Sequence, residues 1–327
     1  MKVLAGATHT LTRAHNLHLA LELIRTRGPV SRAEIARETG MSKPTASRLL
    51  EELLQHGLVR GSARGRGVGH PAVYFTLSPE AVHLAGVEIG PAGSRAVLAG
   101  FDGSVRLTET LPADPARPAD PAAECELLLD RLLARAGLDR SRLYLTVVGL
   151  SCAAQLGEPL EDRLGVPTVV LRGSQLGALG EYEQYEHGAA GRRVDHLAYV
   201  RASEPGGVGL VLNGRLHRGA RPALLTTTRY STEEVAGRLA DCLTPITLST
   251  DIELIVLGCD AGPDDRALLE SLRLELRERL ADPPPVVRSG LGELAPVTGA
   301  VRLGLRSATR DLVTAITGGV QALGWTS

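Results

Sequence analysis

The sequence lacks the hydrophobic segments of a membrane or exported protein. It contains no uninterrupted run of about 18 apolar residues, the length that spans a bilayer. Residues 1–16 also lack the apolar stretch of a signal peptide. We therefore expect a cytoplasmic protein with no membrane partner. With 327 residues, 43% of them hydrophobic, the chain is long enough for two or three domains with cores of their own.

Closely spaced cysteines, the usual local signature of a zinc site, are also missing. None of the four cysteines forms a C-x-C or C-x-x-C pair that could supply two ligands from one turn. We expect buried free thiols, no metal and no cofactor. The four residues are Cys125, Cys152, Cys242 and Cys259.

The chain carries almost no net charge, but its charge is unevenly distributed. Residues 1–80 contain 11 Lys and Arg against 6 Asp and Glu, a net charge of +5. The remaining residues contain 25 against 31, a net charge of −6. Because a locally basic module is what phosphate binding requires, the N-terminal part is the candidate for contact with a nucleic acid.

The first 60 residues have the pattern of short helices with defined ends. Leu11–Arg27 has apolar residues at helical spacing and ends at Gly28-Pro29. Ser31 followed by Glu34 is a capping box, which predicts the start of a second helix. Thr39-Gly40 closes that helix.

A third helix is predicted to begin after Ser42, with Pro44 in its first turn and Gly57 at its end. Its expected buried stripe consists of Leu49, Leu50, Leu53 and Leu54. Two short helices joined by a tight turn are typical of a helix-turn-helix, whose second helix enters the major groove by its N-terminal end. The alternative is a solvated helix face in an unrelated three-helix domain.

The predicted groove-facing end carries short polar and cationic side chains. Hydroxyl groups can bond to phosphates or base edges, and Arg48 can donate two hydrogen bonds to guanine. The candidate contacts in this helix are Ser42, Lys43, Pro44, Thr45, Ser47 and Arg48.

A glycine-rich basic loop follows, between a predicted strand at Leu58-Val59 and another at residues 73–77. Arginines on such a loop can lie along phosphates or enter a minor groove, as in the wing of a winged helix. A plain surface turn is the alternative. The wing candidates are Arg64, Arg66, Gly69 and His70, and Arg32 joins Lys43 and the wing arginines as a phosphate contact.

The stretch SRAEIARETGMSKPTASRLLEELLQHGLVR, followed by AVYFTLSPEAVHLAGVEIG, resembles the repressors of the ROK family of repressors, open reading frames and sugar kinases. Matching pieces continue along the chain, including GVGLVLNGRLHRGA at residues 207–220 and IVLGCDAG at residues 255–262. The resemblance implies an α/β protein with a winged helix-turn-helix in front of a two-lobed, actin-like (ribonuclease H-like) domain. His70 departs from it, because the family favours arginine before the wing proline.

The second part of the chain departs from the kinases of the family. The segment Glu88–Arg95 lacks the threonine and second glycine of their phosphate loop, and Gly173 stands in place of their catalytic aspartate. Without that carboxylate, phosphoryl transfer has no proton acceptor. The residues Ser203-Glu204-Pro205 replace the second phosphate loop, and the family's sugar clamp and zinc motif do not follow Arg218–Ala220. We therefore expect a protein without enzymatic activity.

Two other patterns are weaker. Gly86, Gly90 and Gly93 do not have G-x-G-x-x-G spacing and are more typical of a hairpin turn than of a dinucleotide site. His15 and His18 share a helical face, but no neighbouring carboxylate or thiol completes a metal site.

The predicted organisation has two domains. Residues 1–78 are assigned to the winged helix-turn-helix and residues 79–327 to the effector and dimerisation domain. Within the latter, one lobe comprises 79–174 and 299–327 and the other 175–298. A homodimer, or a tetramer built from it, is expected to bind an inverted-repeat DNA operator, because two half-sites supply the specificity that one module lacks.

The predicted activity is transcriptional regulation, most simply repression, controlled by a small molecule in the cleft between the lobes. Because the sugar-binding residues are missing, this effector is expected not to be a sugar. The candidate contacts, by family position, are Arg172, Ser174, Gln175 and Glu204. One alternative is a regulator that needs no ligand, and a more remote one is a sugar kinase.

Overall fold

The computed structural model describes most of the chain, in several ranges. These are residues 2–64, 72–90, 93–113, 120–150, 159–186, 193–201, 207–219, 231–258 and 265–318. By its internal contacts the chain forms two compact units. The first contains residues 1–84, 99–106 and 305–327, and the second contains residues 85–98 and 107–304.

The N-terminal residues fold into three helices and a small antiparallel sheet with the strand order β1-β3-β2. The elements are α1 (Lys2–Arg27), β1 (Val30–Ser31), α2 (Arg32–Thr39), α3 (Lys43–Gln55), β2 (Val59–Arg64) and β3 (Ala72–Leu77). This is the predicted winged helix. The helix α1 begins nine residues earlier than its apolar spacing indicated, and β2 extends well past Val59.

The predicted helix ends are confirmed in α2. The Ser31 hydroxyl accepts a hydrogen bond from the Glu34 backbone N–H, and the Glu34 carboxylate accepts one from the Ser31 N–H, at 2.7 Å. These two bonds satisfy backbone groups that the first turn leaves unpaired. The Ser31 N–H and the Ser31 hydroxyl both donate hydrogen bonds to the Glu34 carboxylate and lower its pKa. Gly40 ends α2 with a φ of 70°, a left-handed conformation that glycine adopts without steric cost.

The helix α3 packs by one apolar stripe. Leu49, Leu50 and Leu53 are fully buried, as the spacing predicts. The prediction was wrong for Leu54, whose side chain is 37% exposed. Leu54 follows Leu53 directly, and consecutive helix positions point about 100° apart, so the helix turns Leu54 away from the core.

The next part of the chain builds a five-stranded sheet with the order β6-β5-β4-β7-β8 and the helices that cover it. The elements are β4 (His83–Gly90), β5 (Gly93–Gly100), β6 (Val105–Pro112), α4 (Pro121–Ala136), β7 (Leu143–Leu150), α5 (Leu160–Leu164), β8 (Thr168–Arg172) and α6 (Gly173–Glu186). The leucines of α4 pack on the sheet, and Cys125 lies among them. Burial raises the pKa of the Cys125 thiol to about 12, so this free thiol is unreactive.

A second five-stranded sheet follows, with the order β11-β10-β9-β12-β13. Its elements are β9 (Leu197–Arg201), β10 (Gly207–Leu212), β11 (Arg215–His217), α7 (Thr232–Thr250), β12 (Leu254–Leu257), α8 (Asp265–Arg279) and β13 (Val286–Arg288). The strands β9, β12 and β13 are parallel, whereas β10 runs antiparallel to β9. Along the chain, a winged helix is followed by two five-stranded sheets with their helices, and this order confirms the predicted α/β fold class.

The last helix, α9 (Ala295–Ile316), crosses α6 at a point where both helices carry glycine. A Cβ atom on Gly299 would lie 3.0 Å from the backbone nitrogen of Gly180 and would overlap the carbonyl oxygen of Leu176. The two backbones therefore touch without intervening side chains. Arg302, one turn further along α9, forms ion pairs with Glu183 and Glu186 of α6. These ion pairs hold the two helices together near the point where they cross.

Within the described ranges, no helix is long and apolar enough to cross a membrane. The same residues contain no group of three or more His, Cys, Asp or Glu side chains arranged to hold a metal ion.

His18 makes the stability of the protein depend on pH. Burial in α1 lowers the pKa of His18 to about 4, opposed by the charge of Glu22 and assisted by those of His15, Arg306 and Arg25. The unfolded chain takes up this proton near pH 6.5. Between these values the unfolded state binds more protons, so the free energy of unfolding falls as the pH decreases from 6.5 towards 4.

We expect His18 to account for a loss of up to about 3 kcal/mol over this pH range. Urea unfolding at several pH values should show it as a steeper pH dependence in the wild type than in His18→Gln. Because all other titrating groups are shared, the difference between the two curves isolates His18. Parallel curves would show that His18 does not stay neutral in the folded protein.

Candidate nucleic-acid interface

The N-terminal end of α3 presents the predicted contact residues together. The Ser42 hydroxyl caps the helix by accepting a hydrogen bond from the Thr45 N–H at 3.3 Å, and the two hydroxyl oxygens lie 2.8 Å apart. The positions fall into two groups. Ser42, Lys43, Pro44 and Arg48 are exposed, and Thr45 and Ser47 are half-buried. All six lie within the cap and first two turns, where the helix dipole also attracts an anion.

Most arginines around this helix are neutralised by carboxylates. The ion pairs are Arg13 with Glu52, Arg25 with Glu22, Arg27 with Glu38, Arg37 with Glu38, and Arg60 with Glu80. Lys43 and Arg48 differ, because no described residue forms an ion pair or hydrogen bond with either side chain. A cation without a carboxylate can bind a phosphate or a base edge without first breaking an ion pair. Lys43 and Arg48 therefore mark one exposed surface, the N-terminal end of α3.

Arg32 is held in place by an aromatic ring. Its guanidinium carbon lies 4.9 Å from the centroid of Phe75, a fully buried residue of β3. This cation–π contact restrains the side chain without consuming its N–H groups, which bond to no described residue. The arrangement suits a phosphate contact that loses little conformational entropy on binding.

The wing is present as a hairpin of β2 and β3, in which Arg64 pairs with Ala72 across the strands. The backbone of Arg64 ends β2, but its side chain lies outside the described part of the chain, as do Arg66, Gly69 and His70. Their roles in DNA binding stay predictions.

The predicted effector contacts cluster where β8 leads into α6. Arg172 ends β8, and burial lowers the pKa of its guanidinium. Ser174 and Gln175 are buried in the first turn of α6. The Gln175 side chain accepts a hydrogen bond from the Arg172 N–H at 3.1 Å and donates one to the Arg218 carbonyl at 2.6 Å. Glu204 lies outside the described residues, so the structure brings together three of the four candidates.

The turn between β8 and α6 is in direct backbone contact with β10. Gly173 is the first residue of α6, at the position that the family resemblance assigns to a catalytic carboxylate in kinases. A Cβ atom on Gly209 of β10 would overlap the carbonyl oxygen of Ser174. The strand therefore lies directly on the start of α6, and the turn offers no side-chain base at residue 173.

Two contacts of this region were not predicted from the sequence. The first is the ring of Phe75 beneath Arg32, because the alternation of β3 identifies Phe75 only as a core residue. The second is a buried ion pair between Glu88 and Arg201. Glu88 lies in the segment that resembles a phosphate loop, but nothing local in the sequence indicates a partner 113 residues away.

Comparisons with known proteins agree with this geometry. Residues 20–62 match the family model for the IclR helix-turn-helix domain. This range includes the last eight residues of α1, all of α2 and α3, and the first four residues of β2. A helix-turn-helix is therefore present where the capping signals predicted it.

The xylose repressor of Bacillus subtilis is 23% identical in an alignment of 234 positions that covers 65% of this chain and 59% of the repressor. The chain spans less than two thirds of the length of the curated relatives it matches.

Among solved structures, a ROK family transcriptional regulator, described as a homolog of the Escherichia coli MLC protein, matches with a TM-score of 0.67. The identity is 15%, and the match covers 94% of this chain and 99% of that regulator. The chain has the fold of a ROK family regulator. A ROK family glucokinase from Streptomyces griseus shares part of the ROK fold, with a TM-score of 0.51 and 16% identity over 68% of this chain and 98% of the kinase.

Proposed function

We propose that the protein is a transcriptional regulator, most simply a repressor, that binds DNA through α3. The observation that carries this proposal is the pair of exposed cations, Lys43 and Arg48, which have no carboxylate partner among the described residues. They lie on a capped helix inside the segment that matches a helix-turn-helix model. Lys43 and Arg32 would bind phosphates, whereas Thr45, Ser47 and Arg48 would contact base edges.

The proposed assembly is a cytoplasmic homodimer on an inverted repeat. One helix reads a few base pairs, and a two-fold dimer doubles that number at a fixed spacing. We also keep the proposed boundary at residue 78 between the DNA-binding module and the effector domain, with lobes at 79–174 plus 299–327 and at 175–298. Sequence similarity to the xylose repressor supports a repressor.

We propose further that the effector domain is not a kinase. Gly173 gives its turn no proton acceptor, and a sugar hydroxyl needs one for phosphoryl transfer. A non-sugar ligand near Arg172, Ser174, Gln175 and Glu204 is one way of regulating DNA binding. A regulator without a ligand is the second candidate, favoured by Gln175, because both ends of its amide already bond within the protein.

A salt-dependent binding titration tests the proposal. The duplex upstream of the protein's own gene is labelled, and affinity is measured by fluorescence anisotropy against random competitor DNA. We expect at least about 10³-fold preference for the specific site. Lys43→Ala should weaken binding to all sequences and reduce the slope of log affinity against log salt by about one unit per protomer.

The matched control is Arg27→Ala, which removes an exposed arginine already paired with Glu38 and should leave the slope unchanged. Adding candidate metabolites to the same titration separates the ligand-controlled regulator from the ligand-independent one. A folded protein that prefers no duplex over random DNA at moderate ionic strength would refute the proposed function.

A further inference from the structure

A glutamate lies between two of the proposed base-contact residues on the outer face of α3. Successive residues of an α-helix point about 100° apart, so Glu51 points about 40° from Ser47 and about 60° from Arg48, on the side between them. Glu51 is exposed. The opposite side of the helix carries its buried residues, which are Ala46, Leu49, Leu50 and Leu53. Glu51 therefore belongs to the surface that would face the DNA.

The next residue, Glu52, is a carboxylate with a structural partner. Its side chain is only 16% exposed and forms an ion pair with Arg13 of α1. For Glu51, by contrast, no residue in the described part of the chain forms an ion pair or hydrogen bond with the side chain. Even Arg48 does not pair with it, although the two have the i,i+3 spacing at which opposite charges on a helix can meet. Both Arg48 and Glu51 thus keep their hydrogen-bonding groups available on one face.

A carboxylate at this place opposes DNA binding unless it gains a hydrogen bond there. DNA carries one phosphate charge per about 3.4 Å along each strand, and these charges repel it. The base edges in the major groove offer two kinds of donor, the N4 amino group of cytosine and the N6 amino group of adenine. Adenine also presents the N7 acceptor beside its amino group, whereas the cytosine edge presents no acceptor. Cytosine is therefore the base that suits Glu51.

The spacing along α3 places Glu51 at the base pair next to that of Arg48. Three residues advance the helix by about 4.5 Å, and successive base pairs are about 3.4 Å apart. A helix that brings the Arg48 guanidinium to one base edge thus brings the Glu51 carboxylate to a neighbouring one.

We infer that Glu51 is a specificity-determining residue, which accepts a hydrogen bond from the N4 amino group of cytosine in the base pair next to the one that Arg48 contacts. The inference rests on the proposed function. It gives the carboxylate two effects, because the hydrogen bond supports binding where cytosine is present and the negative charge weakens binding to other sequences.

Competition binding of the full chain tests the inference, with operators that carry each of the four bases at every position of one half-site. At the position next to that of Arg48, the wild type should favour cytosine by about 5-fold to 150-fold, the usual cost of one mismatched base pair. Glu51→Ala should bind the four operators nearly equally. Glu51→Gln should shift the preference towards adenine, because a glutamine amide can bond to adenine N6 and N7 together. A residue that only stabilised the helix would not change the preferred base.

The matched control is Glu278→Gln on α8, outside the helix-turn-helix segment. Glu278 is also exposed, and its side chain has no ion pair or hydrogen bond with any residue that the structure describes. The control removes the same charge and should leave every base preference unchanged.

Two results would overturn the inference. If both Glu51 variants kept the wild-type preference at every position, or bound all sequences more tightly by one common factor, Glu51 would act on phosphates only. The proposed function would stand in that case, because the wild type would still bind its operator specifically. If the wild type itself preferred no duplex over random DNA, the proposed function would fail, and the inference with it.

Discussion

Replacing Arg48 with alanine is expected to remove about 1–3 kcal/mol of discrimination at one base pair in each half-site of the operator. The guanidinium is exposed on the second turn of α3 and is bonded to no described residue. Its five N–H groups can therefore form a bidentate contact with guanine. For a dimer with two half-sites the summed loss is about 2–6 kcal/mol, the largest effect on binding that we expect from a single substitution.

Competition binding with base-substituted operators measures this discrimination. Arg48→Ala should flatten the preference at one position and leave the others unchanged. The matched control is Arg37→Ala on α2, since the Arg37 side chain is 68% exposed but paired with Glu38. We expect the control to change affinity by less than about 0.5 kcal/mol, as for ordinary surface positions. If Arg48→Ala weakened binding to every sequence equally, Arg48 would contact phosphate and not a base.

The parts of the fold predicted correctly are those specified by neighbouring residues. The capping box of Ser31 and Glu34, the cap at Ser42 and the glycine at residue 40 each act within one helical turn. Their chemistry does not depend on the rest of the chain, so the sequence pattern was sufficient. The same reasoning located the N-terminal end of α3 and hence the candidate DNA contacts.

Contacts between distant segments were beyond this kind of reasoning. The ring of Phe75 fixes Arg32 from another element, and Arg201 meets Glu88 from another sheet. Such contacts depend on how distant elements are placed relative to one another. The periodicity of apolar residues in the sequence does not predict that placement. Even within a single helix, apolar spacing did not predict the burial of every residue. Leu54 lies at the edge of the apolar stripe of α3 and faces solvent.

The effector region was predicted largely through resemblance, and there the structure adds physical detail. The family position placed Gln175 in a ligand site, but its amide bonds to Arg172 and Arg218. A buried amide must satisfy its own donors and acceptors, and here the protein supplies them.

Gly299→Ala is expected to destabilise the protein by about 3 kcal/mol or more, at the upper end of overpacking substitutions. The new Cβ atom would overlap the Leu176 carbonyl oxygen and approach the Gly180 nitrogen to 3.0 Å. Both obstacles are backbone atoms, so no side-chain rotation relieves the overlap. The helices α6 and α9 would have to move apart, and Arg302 would lose its geometry with Glu183.

The same substitution in another helix should have the opposite sign. A Cβ atom on Gly237 of α7 would meet nothing nearer than a Glu275 carboxylate oxygen at 3.9 Å. Gly237→Ala should therefore stabilise the protein by up to about 1 kcal/mol, because alanine favours a helix interior more than glycine does. Urea unfolding of both variants measures the two free energies. If the variants changed stability by the same amount, close backbone contact between α6 and α9 could not be what requires glycine at residue 299.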